Sequence, residues 1–277
     1  MTGVRAEGRE AGMSRQDLAD ALDAELAVRP LPVSAVHAIR GWLAGAGSRY
    51  ATGTGTHAVM YVPAHWSGIT PWPIRLLERS QASGAAISRS EVVTIAREAV
   101  RGGAWAEALV ASYVWGQGRN GYGPHRLREI LAKPNTSDAL AKAGAALREE
   151  GAAAAYRGLY GEVRGFGPAF ITKLLYFLDR AIDAPVGPRA LILDQRVARV
   201  VRIHATRLGV ELGLPSAADV AAWIWSDGGW TPHRYGIYLH WATAAAEQLV
   251  SCGIGWPEAS PDLLELALFD GVWDPAA

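Results

Sequence analysis

Apolar residues recur at three- and four-residue intervals in almost every patterned segment of this chain, and that period commits it to helices. Ser14 opens a capped segment in which Leu18, Leu22 and Leu26 follow at four-residue spacing. Ser90 is placed to cap a helix whose Val92, Val93, Ile95, Ala96, Ala99 and Val100 form one apolar stripe. Gly102 and Gly103 end it, and a second apolar helix runs from about Ala104 to Trp115. Pro124 suits the first turn of the next, with Leu127, Ile130 and Leu131 behind it, and Thr136 caps an alanine-rich stretch to about Glu150. Further helices are expected from Pro168 to about Ile182, from Asp194 to Leu208, and after Ser216, Thr231-Pro232 and Ser260-Pro261. The one strand-like run is His57 to Val62. The fold class is all-α.

The first 89 residues read differently. They hold the Gly/Thr run Ala51 to Thr56 and the Pro/Trp run Pro63 to Pro73, both loop-like. The expected organisation is a loop-rich N-terminal lobe over 1–89 packed on a helical domain over 90–277. Composition then narrows the function classes. Half of the 277 residues are hydrophobic, which supplies a core and excludes a disordered or fibrous protein. Lys+Arg and Asp+Glu balance at 27 each, so nucleic-acid binding has to rest on local patches. Cys252 stands alone, which excludes a disulfide framework, a thiolate zinc site and a four-cysteine iron–sulfur cluster. Neither a signal peptide nor a membrane span is expected, and the chain reads as a cytoplasmic monomer.

Chemistry concentrates after Leu159. Gly165 and Gly167 flank Phe166 just before the helix that starts at Pro168. Both glycines are free to take positive φ, Phe166 would plug the turn into the core, and the amides at the helix start would face an anion such as a DNA phosphate. An ordinary helix–turn–helix connection fits the same Gly-x-Gly. Asp194 follows three apolar residues in Ala190-Leu-Ile-Leu-Asp-Gln-Arg-Val-Ala-Arg-Val, a partly desolvated carboxylate at a helix start. A plain N-cap is its bland reading. Arg196, Arg199 and Arg202 lie three apart behind it and read as a phosphate-binding face, the bland reading being a solvated charged face.

Gly165-Phe-Gly-Pro followed by Leu-Ile-Leu-Asp-Gln-Arg-Val-Ala-Arg resembles the helix-hairpin-helix DNA glycosylase superfamily, over roughly Ser90 to Phe269. The layout is most similar to the 8-oxoguanine glycosylase-like branch. That resemblance implies a hairpin that grips the DNA backbone and an aspartate, Asp194, that carries the chemistry. The chain departs from the pattern in three ways. Asp183 to Arg189 lengthens the path from hairpin to aspartate. Ala169 stands where bifunctional members place their Schiff-base lysine, and the nearest lysine, Lys173, lies one helical turn further on. The cluster cysteines of some relatives are absent. Without a Schiff-base lysine, water is the nucleophile, so a monofunctional N-glycosylase that leaves an abasic site is expected. Asp194 would stabilise the oxocarbenium-like sugar, position water, or both, and Lys173 becomes catalytic if the hairpin is displaced.

Excision also requires that the nucleotide be extruded. Gln117, Arg119 and Asn120, on a glycine-rich stretch after an apolar helix, are expected to fill the gap and contact the opposite strand. Trp223, Trp230, Tyr235, Tyr238 and Trp241 are expected to wall the base pocket, with core packing the competing role for each. The expected partner is double-stranded DNA bearing a modified base. Two bases stay open: an oxidised purine such as 8-oxoguanine, or a hypermodified phage base such as glucosylated hydroxymethylcytosine, which would mean anti-phage defence. His37, His57 and His65 are scattered, so no cofactor and no catalytic metal are expected, and only a structural cation held by hairpin carbonyls stays open. The alternative function is a non-catalytic helix-hairpin-helix DNA-binding module, which has no use for a carboxylate facing phosphates. A protein–protein scaffold would account for the tryptophans but not for the pairing of hairpin and aspartate.

Overall fold

The computed structural model describes residues 13–77, 84–119, 121–183, 185–258 and 260–275. Some helix starts are fixed by a side chain that satisfies the first-turn amides. Helix α1 (Arg15–Val28) starts at Ser14, whose hydroxyl accepts from the Asp17 amide while Asp17 accepts back from the Ser14 amide. Its Leu18, Leu22 and Leu26 are buried as their spacing requires. Helix α2 (Val33–Ala44) adds to the expected set; it buries Ala35, Val36, Ile39 and Leu43, a helical stripe interrupted at the surface by Gly41. A single turn, α3 (Ile74–Leu77), separates β1 (Ala58–Tyr61) from β2 (Ala85–Ser88), and the two strands pair antiparallel with Ala58 opposite Ser88.

Helix α4 (Arg89–Gly102) is capped by Ser88, not by Ser90. Ser88 has Glu91 three residues on, and that carboxylate returns to the Ser88 amide; Ser90 has Val93 at the same spacing. The shift makes Arg89 the first helical residue. Helix α5 (Trp105–Gln117) is buried continuously from Ala108 to Trp115 and runs through the centre of the molecule, packed by α4 and by β1. Helices α6 (Gly123–Leu131), α7 (Thr136–Glu149) and α8 (Ala152–Leu159) lead to the glycine hairpin. After it come α9 (Pro168–Ala181), α10 (Gln195–Glu211), α11 (Ala217–Ile224), α12 (Pro232–Ser251) and α13 (Pro261–Phe269).

The N-terminal segments are divided between two places. Helix α1 packs on α10, α11 and α12, and Asp23 forms a buried ion pair with Arg234 of α12. Trp241 of α12 donates its indole N–H to the Pro30 carbonyl, and the Gln248 amide exchanges two hydrogen bonds with the Leu31 backbone. By contrast, β1 lies on α5. The segment that leads into β1 therefore reaches the same region as α5 and α9.

Candidate active site

Residues Ala190 to Leu193 are buried, yet they belong to no helix or strand. Their peptide groups need partners, since each one left unmet costs about 1–3 kcal/mol. Side chains supply them. Arg180 donates to the Ala190 carbonyl at 2.9 Å. The Tyr235 hydroxyl donates to the Leu191 carbonyl at 2.9 Å and accepts from the Leu191 amide at 3.3 Å. Tyr238 donates to the Ile192 carbonyl at 2.8 Å, and Thr172 bonds both the carbonyl and the amide of Leu193. This clamp delivers Asp194 to the start of α10. There Asp194 Oδ1 accepts from the Arg196 and Val197 amides at 2.9 and 3.1 Å, while Oδ2 has no partner among the described residues. The residue is an N-cap with one oxygen to spare.

Asp194 lines a cavity of about 200 Å³, and Lys173 lines it too. Lys173 is only 9% exposed, and its amine lies 3.4 Å from the Ala169 carbonyl and over the Phe170 ring. Among the described residues no carboxylate is in salt-bridge contact with it. Burial pushes the amine below its ordinary range, against the pull of Asp194 and Glu265, and Arg89 adds to the depression. Gly116 makes room for the stem: a Cβ there would stand 2.7 Å from Lys173 Cδ.

Three further cavity residues escaped the sequence reading: His57, Arg89 and Glu265. Arg89 is 1% exposed and forms a two-fold pair with Glu265, at 2.9 and 3.3 Å. Its Nε–H donates to His57 Nδ1 at 3.2 Å, and its guanidinium lies over the Trp115 and Tyr176 rings. Burial works against the arginine's charge, but Glu265 and Tyr176 more than restore it. One signal was present in the chain. Glu265 is the lone charge inside Leu263 to Leu268, and a carboxylate in an apolar stripe demands a buried partner.

The hairpin precedes α9. Gly165 takes φ 90°, but Gly167 sits at φ −81°, ψ 160°, so only the first glycine uses the left-handed region. Phe166 is buried as expected, near the Tyr113 ring. Among the described residues neither the Gly165 nor the Gly167 amide has a backbone partner, and a Cβ on Gly167 would meet nothing within 4 Å. Packing and φ leave residue 167 free to be larger, while close approach of an outside partner would require the glycine. The arginine face differs from expectation. Arg199 and Arg202 both turn to Asp227, at 2.6 and 3.1 Å, because that carboxylate sits across from α10 on the loop after α11. Arg196 lies instead over Phe269, which lines the cavity, and Arg164 is exposed beside the hairpin.

The remaining expectations separate. Gln117 lines the Asp194 cavity itself, Arg119 is exposed on the turn after α5, and Asn120 lies outside the described residues. The five aromatics expected to wall a base pocket lie elsewhere. Tyr235 and Tyr238 spend their hydroxyls on the 191–192 backbone, and Trp241 donates its indole N–H to the Pro30 carbonyl. Trp230 donates to Ser226 and its carbonyl accepts from Tyr156, while Trp223 is partly exposed under the Arg15 guanidinium. Their polar handles made them fit for cores that carry buried backbone, a use that spacing does not distinguish from a ligand wall. The walls of the observed cavity come from Val59, Trp115, Ile192 and Phe269.

A helical body with this hairpin, and with the aspartate delivered into a cavity one to two turns along the helix that follows, is the architecture of a DNA glycosylase. A family model described as "Putative 8-oxoguanine DNA glycosylase OGG-like protein" matches residues 52–269. The match spans most of the chain, which belongs to this OGG-like family. No curated protein and no solved structure matches it. Among the described residues no helix is long and apolar enough to cross a membrane.

Proposed function

We propose that this DNA glycosylase excises an oxidised purine such as 8-oxoguanine from double-stranded DNA, with Lys173 as the nucleophile and Asp194 as the carboxylate that steadies the developing charge. The observation that carries this reading is the meeting of Lys173 and Asp194 in one cavity. The residue at 169 pointed to water as nucleophile. Lys173 supports the other chemistry, because a buried amine without a salt-bridge partner is costly to keep unless it acts.

The ammonium of Lys173 gives up a proton, and the free amine attacks the sugar C1′. The C1′–N bond to the base breaks, its electron pair leaves with the base, and a proton is returned to the base. The attached nitrogen then passes one proton to O4′ as the ring opens to a protonated Schiff base, and transfer of a C2′ proton to water expels the 3′-phosphate with the C3′–O electron pair. Asp194 opposes the positive charge that builds on the sugar, as carboxylates do in glycoside chemistry. The amides of Gly165 and Gly167 and the Arg164 and Arg196 side chains serve the backbone phosphates. Gln117 meets the extruded nucleotide, and Arg119 the opposite strand. A cavity of about 200 Å³ suits a base of purine size. The match to a family model described as a putative 8-oxoguanine DNA glycosylase supports the repair reading. The hydrolytic reading has one observation of its own, the unpaired Oδ2 of Asp194, which is free to position water.

The test uses duplexes that are plain, carry 8-oxoguanine, or come from phage with glucosylated hydroxymethylcytosine, each with and without alkali. Wild type should cleave the 8-oxoguanine strand without alkali and be trapped on it by borohydride; Lys173→Gln should abolish the trapping. Asp194→Asn should lower base release by ~100-fold or more while DNA binding persists. Cleavage only after alkali, retained in Lys173→Gln, would assign the nucleophile to water. Binding without cleavage of any duplex would return the chain to the DNA-binding module.

A further inference from the structure

We propose that His57 reads the extruded base: locked by Arg89 and Glu265 as the tautomer protonated on Nε2, it donates a hydrogen bond to a carbonyl oxygen of that base. The inference rests on the excision reading above and adds a specificity residue to it. Its ground is the chain of hydrogen bonds that ends at the imidazole. Glu265 engages Arg89 through both carboxylate oxygens, which fixes the guanidinium plane. The remaining Nε–H then donates to His57 Nδ1 at 3.2 Å. An arginine has no lone pair to offer, so Nδ1 must be the acceptor and Nε2 must carry the proton. Among the described residues that second nitrogen has no partner, and His57 lines the cavity shared by Lys173 and Asp194.

The ring cannot easily turn away. Tyr50 and Trp115 meet it edge to face at centroid distances of 6.2 and 5.6 Å. Its charge state is equally constrained. Burial, then Arg89 and Arg49, push His57 down to about 4, so at neutral pH it is an uncharged donor. A fixed donor that cannot become an acceptor accepts a carbonyl edge and rejects an amino group at the same place, which would leave two N–H groups facing each other. Glu265 itself is unsuited to reading the base, because both of its oxygens are occupied by Arg89. Arg89 and Glu265 are thus positioning residues, and His57 is the group that touches substrate.

The experiment compares wild type, His57→Phe and His57→Gln in two measurements. The first is the single-turnover rate of 8-oxoguanine release. The second is affinity for a duplex carrying a tetrahydrofuran abasic-site analogue, which has no base to read. His57→Phe should slow release by roughly 10- to 100-fold and leave the abasic-analogue affinity unchanged, while His57→Gln, which restores an N–H donor, should recover most of the rate. Release by His57→Phe at the wild-type rate overturns the base-reading role. So does a loss of abasic-analogue affinity in parallel with release, since that marks a structural residue. If wild type releases no base at all, the excision reading itself fails, an outcome separate from either of these.

Discussion

Asp194 spends Oδ1 on the α10 amides and keeps Oδ2, so capping and the proposed chemistry would not compete for the same oxygen. Lys173 is held below its ordinary pKa of 10.5 by burial, in opposition to the two carboxylates around it. A depressed lysine releases its proton earlier as pH rises, so the free amine accumulates at lower pH than on an exposed lysine. Single-turnover excision should therefore climb roughly tenfold per pH unit at first and level off before pH 10.5. A rise that continues unbroken through pH 10.5 would mean that burial does not depress the reacting amine.

At the scale of elements, the hairpin and α9 are continuous. Lys173 lies six residues beyond Gly167, about 9 Å along the helix, so the proposed grip and the proposed nucleophile would be set by the same rigid element. Gly167 is the sharper probe of the grip, because neither its φ of −81° nor its surroundings require a glycine. Gly167→Val should fold with unchanged thermal stability and bind plain and modified duplexes equally less well, by about tenfold, in a titration at fixed salt. A preserved affinity would take the hairpin off the phosphate backbone. Helix α4 shows how a local rule has a distant effect. The capping box at Ser88 rather than Ser90 makes Arg89 the first residue of the helix, where its side chain reaches α13.

On the scale of the whole molecule, the buried ion pairs bind together segments far apart in the chain. Arg89 to Glu265 joins α4 to α13, and Asp23 to Arg234 joins α1 to α12. Asp262 accepts from Thr54 and Tyr176 and faces Arg180, tying the stretch before β1 to α9 and α13. Removing one partner strands the other: Glu265→Ala should cost about 3–5 kcal/mol in denaturant unfolding, with the slope of the transition unchanged. A loss under about 1 kcal/mol would mean that water reaches Arg89. The helical class, the cap at Ser14, the Phe166 plug and the N-cap at Asp194 follow from residues within a few positions of each other, whose interactions form within one turn of backbone. Only the packing of helices decided that Lys173 reaches the cavity from one turn beyond Ala169, that Tyr235 and Tyr238 hold backbone, and that His57 stands beside Arg89. Those meetings join residues tens to hundreds of positions apart, and their energy comes from burial and pairing that exist only once the chain has closed on itself.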